Sequence, residues 1–118
     1  MALLTRDAIL TANDKPTRDV PVPEWGGTVR VRSISAAERD EFEEQTLAAR
    51  REGRVLPRNV RARMMAACIV GEDGQRLFSE DDIEALGDKS VAATDRVYAA
   101  VSELNALSEK DVEELAGN

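Results

Sequence analysis

Residue types that perform chemistry are few in this chain, and those present stand in the wrong company. The 118 residues include no histidine, so the commonest general base and metal ligand are both missing. The one cysteine, Cys68, lies in the most apolar run, "RMMAACIV" at 63–70, which predicts a buried and inert thiol rather than a nucleophile. "GEDGQRLFSEDD" at 71–82 has the glycine and glutamate of a calcium loop if Gly74 takes the sixth position and Glu80 the twelfth. That register puts Ile69 and Gly71 where the first carboxylates must stand, and the motif fails. Acidic pairs such as Asp81-Asp82 fall where helices begin, where capping and the helix dipole account for them. Neither GxxxxGK[ST] nor GxGxxG occurs. No catalytic residue, metal site or cofactor site is therefore expected.

Charge and composition narrow the classes further. Net charge is −7, which repels a phosphate backbone and argues against nucleic-acid binding. Arg50, Arg51, Arg54, Arg58, Arg61 and Arg63 form the main basic concentration. Arg50 and Arg51 answer a helix C-terminus, and the others are expected to pair with the acids at 38–44. A single cysteine excludes an internal disulfide and suits a reducing compartment. "MALLTRDAIL" does not read as a signal peptide, and no run approaches a membrane span of about 20 apolar residues. The expectation is a cytoplasmic protein without membrane contact. An apolar fraction of 42% with 33% charged residues fits one globular domain, 1–118. Aromatics are scarce, at 3%, so the core must be built from Val, Leu, Ile, Ala and Met.

That scarcity makes Trp25 conspicuous. It lies in "VPEWGGTVRVR", where residues 18–33 read as a β-hairpin. Val20 and Val22 share one face of the first strand; Val29 and Val31 share a face of the second, opposite Thr28, Arg30 and Arg32. Glu24-Trp25-Gly26-Gly27 turns the chain, the glycines supplying positive φ. Pro21 and Pro23 point the same way and donate nothing, so they blunt the outer edge of the first strand. The second strand has no such guard. If nothing else in the fold covers it, it is the open edge, and a partner segment could add to it. Trp25 is then either an exposed anchor beside that edge or a plug over one end of the core. Trp25, Val29, Arg30, Val31 and Arg32 are the candidate protein-binding residues.

Helices follow. Ser35 and Glu38 form a capping box for a helix that ends at Gly53, with a thin apolar stripe through Ile34 or Ala37, Phe42, Thr46 and Ala49. Pro57 is expected to open the next helix, central and buried, with Val60, Met64 and Cys68 in step and the chain apolar all round from Met64 to Val70. Leu77 and Phe78 should return to the core. A short helix is capped by Ser79 and stopped at Gly87, with Ile83 and Leu86 inward. A longer one spans about 89–106, with Val91, Thr94, Tyr98, Val101 and Leu104 on one face. A last one runs from Ser108 to a stop at Gly117, with Val112 and Leu115 inward. "SEDDIEALG" and "SEKDVEELAG" resemble each other because both follow one recipe of cap, acids, apolar anchors and glycine exit, not because of a repeat. Residues 3–12 are either one or two amphipathic turns or part of a loose arm over 1–17. The fold class is thus α+β: a small antiparallel hairpin near the N-terminus and a mainly helical body, 35–117, of four to six helices.

The segment W-G-G-x-V-x-V-R-x-[IL]-S-x-x-E-R at 25–39, followed by an apolar helix, "GEDGQRLFSEDDIEALGDKS" and "LNALSEKDVEEL", resembles the tail assembly chaperones of long-tailed, non-contractile bacteriophages and prophages. The likeness covers residues 19–117 and is most specific at the hairpin. What it implies is a protein that is not an enzyme, binds the helical tape measure protein, recruits tail tube subunits and forms homo-oligomers. It also implies presence in the host cytoplasm and absence from the mature virion. The rival readings are a head–tail connector or tail subunit retained in the virion, and a small nucleic-acid-binding regulator using residues 50–63.

Overall fold

The computed structural model describes residues 2–115, with side chains as far as Ala106. The elements run α1 (Arg6–Thr11), β1 (Thr17–Val22), β2 (Gly27–Arg32), α2 (Ala36–Arg51), α3 (Val60–Cys68), β3 (Ile69–Val70), α4 (Ile83–Gly87) and α5 (Val91–Leu115). This is the expected α+β class, with a mainly helical body.

The hairpin forms in the expected place. β1 and β2 pair antiparallel from Thr17↔Arg32 to Val22↔Gly27, joined by a 3₁₀ turn over Pro23–Trp25 and by Gly26 at φ 73°. The N–H of Ser33 donates to the carbonyl of Pro16 at 3.1 Å, which sets the phase of the ladder. By alternation, Val29 and Val31 turn their backbone groups toward β1, while Thr28, Arg30 and Arg32 turn theirs to the far edge. That far edge is not open. β3 pairs with it through Arg30↔Val70 and Val31↔Ile69, and Val70 is bridged in turn by Arg76. β2 is the central strand of three.

β3 is also where the expected central helix stops short. α3 begins at Val60, three residues after Pro57, because Asn59 adopts a left-handed φ of 53° before it. It ends at Cys68, and Ile69 is extended. Both β-branched residues, Ile69 and Val70, fit a strand better than a helix end, and the edge of β2 gives them a ladder. A tight turn then reverses the chain, with Gly74 at φ 79° and the N–H of Gly71 on the carbonyl of Gln75 at 2.9 Å. This return points Leu77 to solvent, contrary to expectation, while Phe78 packs on the core.

Ser79 starts the next element as expected, its N–H donating to the Asp82 carboxylate at 2.8 Å. Ile83 and Leu86 of α4 are buried. α4 stops at Gly87, where a Cβ would lie 2.9 Å from the Asn59 side chain. α5 differs from the two helices expected: it is continuous from Val91 to Leu115. No glycine or proline stands between 88 and 116, so the serine at 108 has no break to cap. The expected inward placing of Val112 and Leu115, and the stop at Gly117, lie outside the described residues. Its buried stripe is Ala93, Val97, Ala100, Val101 and Leu104, with Thr94 beside it; Val91 faces solvent.

The core joins one face of the sheet (Val20, Val22, Val31) to α3 (Ala62, Met65, Ala66, Cys68), α4 and α5. Alanine is frequent in it, which lets α3 and α5 approach closely.

Candidate functional site: a groove between two helices

α2 is the element least absorbed by this core. Ser35 caps it, and Glu38 at its third position completes the capping box with Ser35. Its only buried residues are Glu38 and Ala49. Apart from Phe42, it offers the core no large side chain. It makes no extended contact with another element among the described residues.

What holds its beginning is an ion cluster. Arg32 of β2 donates to both Glu38 carboxylate oxygens, at 2.9 and 3.1 Å, and Arg76 donates to one of them. The Ser35 N–H adds a further bond at 2.8 Å. Burial alone would push the Glu38 carboxyl up, but the bonds from Arg32, Arg76 and Ser35 outweigh it and hold the group at about 2. A second tie joins the N–H of Ile34 to Oδ1 of Asn105 on α5, at 3.1 Å.

Beyond these ties α2 and α5 stand apart, and a groove of about 1140 Å³ lies between them. Ser33, Ile34 and Ser35 lie at its α2 N-terminal end. Phe42, Thr46 and Leu47 contribute from α2, Met64 from α3, and Tyr98, Val101, Ser102 and Ala106 from α5. Leu47 is 53% exposed, and Ile34, Phe42, Met64 and Tyr98 are half-buried. Charges are confined to Arg39, Glu43 and Arg50, and Arg39 and Glu43 pair with each other at 3.5 Å. A helix about 10 Å across with a 5.4 Å pitch fills roughly 420 Å³ per turn, so the groove has room for about two to three turns. It is suited to receive an amphipathic helix by its apolar face.

The five residues picked out from the sequence are not one exposed margin. Val31 is fully buried, because its face of the sheet lies under α5. Arg32 is largely buried in the Glu38 cluster. Val29 and Trp25 are half-buried and pack on the core. Near Trp25 the tip is tied to α5, where Nε of Arg96 donates to both carboxylate oxygens of Glu24, at 2.9 and 3.1 Å. Arg30 alone is exposed, and it spends its guanidinium on Asp19 directly across the ladder, at 2.7 and 3.2 Å. The arginines of 54–63 do pair, but not with the acids of 38–44: Arg54 meets Glu52, Arg61 meets Asp95 and Arg63 meets Glu80. Arg61 also lies over the Tyr98 ring, 5.6 Å from its centre.

The remaining chemistry is sparse. Burial pushes the Cys68 thiol up to about 12. No group of side chains suited to hold a metal ion occurs among the described residues, and no described helix is long and apolar enough to cross a membrane.

Comparison with known proteins agrees with the resemblance seen in the hairpin. No curated protein matches the sequence. Among solved structures the chain is similar to the tail assembly chaperone of bacteriophage HK97, at 19% identity and a TM-score of 0.54 over 81% of this chain and 89% of that one, which is a likeness of fold. The family profile described as "Phage tail assembly chaperone" matches residues 5–118, nearly the whole length, and the chain belongs to that family.

Proposed function

We propose that this tail assembly chaperone works without catalysis, by holding an apolar helical segment of the tape measure protein in the groove between α2 and α5. The observation that carries this reading is the groove itself: apolar side chains around a space of about 1140 Å³, beside a helix the core barely claims. A long helical client exposes apolar stripes until a tube encloses it, and a groove of this section covers such a stripe while the net charge of −7 keeps the complex dispersed. Recruitment of tail tube subunits, self-association and a place in the host cytoplasm rather than the virion belong to the same proposal.

The test is co-expression with the tape measure protein and recovery of the pair. Leu47→Asp puts a charge in the groove at an exposed position that the fold does not need. Recovery should fall about tenfold, the discrimination expected when a buried apolar contact is replaced by an unpaired charge. Undiminished recovery would reject the groove as the client site. Mass spectrometry of purified virions tests the other half: a chaperone is absent, and a connector or tail subunit is present.

A further inference from the structure

The N-terminal arm is the least explained part of the molecule. α1 is a genuine helix, capped by Thr5, whose hydroxyl accepts from the N–H of Ala8 at 3.1 Å. Yet none of its residues is buried. Leu3, Leu4, Ile9 and Leu10 are 97%, 73%, 56% and 66% exposed, an apolar set with no partner on the body. The same chain carries an apolar groove with no occupant.

The two are neighbours at the root. Residues 12–15 link α1 to Pro16, and Pro16 is hydrogen-bonded to Ser33, which lines the groove. Four linking residues reach at most about 13 Å, enough to swing the arm about its root but not to carry it elsewhere on the body. Size agrees as well: residues 3–11, wound as a helix, make about two and a half turns, which is the room the groove offers.

We infer that the α2–α5 groove is the resting place of the chain's own N-terminal arm, which caps it until a client displaces the arm. The inference rests on the groove being the client site and adds its regulation. The occupant is the arm in cis for two reasons. A tether this short gives an effective concentration in the millimolar range. Two copies, each with a net charge of −7, repel before their arms can exchange. The structure, with the arm standing away, is then the open form. Capping lowers apparent client affinity by the fraction of molecules closed, and it hides two apolar surfaces that would otherwise promote aggregation.

Two measurements on the full chain test this without any client, so their failure is distinct from failure of the client site. In the first, Leu10→Cys is combined with Leu47→Cys or with Ser102→Cys on the opposite wall, and dilute protein is mildly oxidised; buried Cys68 stays out of the reaction. A disulfide within one chain, seen as a faster monomer on a non-reducing gel, is expected in at least one pair. Disulfide-linked dimers would assign the arm to a second copy, and no crosslink in either pair would leave it undocked; each result overturns the inference. The second measurement uses the dye anilinonaphthalene sulfonate on a variant with Leu3, Leu4, Ile9 and Leu10 changed to serine. If the arm caps the groove half of the time, disarming it doubles the open population, and fluorescence rises about twofold. A free arm predicts the opposite sign, because the variant has only lost exposed apolar surface; an unchanged or lower signal overturns the inference.

Discussion

The margin of β2 and the groove beside α2 flank the same short segment, Ser33–Ser35, and they are opposites. At the margin every offer is taken. β3 pairs the edge, α5 covers Val31, Glu38 claims Arg32 and Asp19 claims Arg30. In the groove little is claimed: apolar side chains from three helices converge without meeting. The contrast teaches that unpaired backbone seen in a sequence is a demand that the fold itself tends to meet, whereas a binding surface arises where two elements are held apart. What holds α2 apart is its own anchoring, tight at the first turn and weak beyond it.

Breaking that anchor should have the largest effect. Glu38→Ala leaves Arg32 buried without its partner and frees Arg76, and removing one member of a buried ion pair costs about 3–5 kcal/mol. Thermal or urea unfolding should show this loss, with α2 as the first segment to exchange its amide protons. Acid should reproduce part of the effect. The Glu38 carboxyl is held at about 2 against an ordinary 4.5, so its contribution is fully present above pH 4.5 and is lost as pH falls toward 2. Because the unfolded chain takes up the proton first, stability drops through that window by an amount of order 3 kcal/mol. In Glu38→Ala this part of the slope should vanish. If the wild-type and variant curves stay parallel between pH 5 and about pH 2.5, the cluster is not the clamp.

Much of this was legible in the sequence and some could not be. The hairpin, the Ser35–Glu38 cap and the stop at Gly87 are local: their signals lie within a few residues of the structure they produce. β3 was not legible, because two residues carry no period and their extended form is decided by an edge nearly forty residues earlier in the chain. The capping box was read from Ser35 and Glu38, but the same carboxylate also receives Arg32 and Arg76, which only the fold brings together. α5 misled through Ser108, a good cap when a helix is already ending and a neutral residue when it is not. The groove left the faintest trace. Its one hint was Leu47, a large apolar residue on the solvent side of an acidic helix with a thin stripe.

The tip of the hairpin sharpens the comparison at a smaller scale. Trp25 is half-buried against the core, so Trp25→Ala should cost about 1–2 kcal/mol, less than a fully buried aromatic. Its effect on recovery of the tape measure protein should stay below about threefold, compared with about tenfold for Leu47→Asp, since the groove does not include it. A folded Trp25→Ala protein that no longer retains client would move the site to the hairpin and demote the groove.

Arg30 gives the smallest expected effect and the cleanest contrast. It is the one exposed member of the β2 candidates, and its guanidinium lies against Asp19 on the solvent face of the sheet. The Asp19 carboxyl is drawn below its usual range chiefly by that hydrogen bond, but both partners are open to water, where such a pair contributes little. Arg30→Ala should therefore leave the melting temperature and client recovery almost unchanged, because the backbone of residue 30 keeps its pairing with Val70 whatever side chain it carries. A large loss of client without loss of fold would mean that the outer face of the sheet is read by a partner through this guanidinium. Paired with an unaffected Leu47→Asp, that result would exchange the roles of the two regions: the covered strand would be the contact and the open groove only a gap.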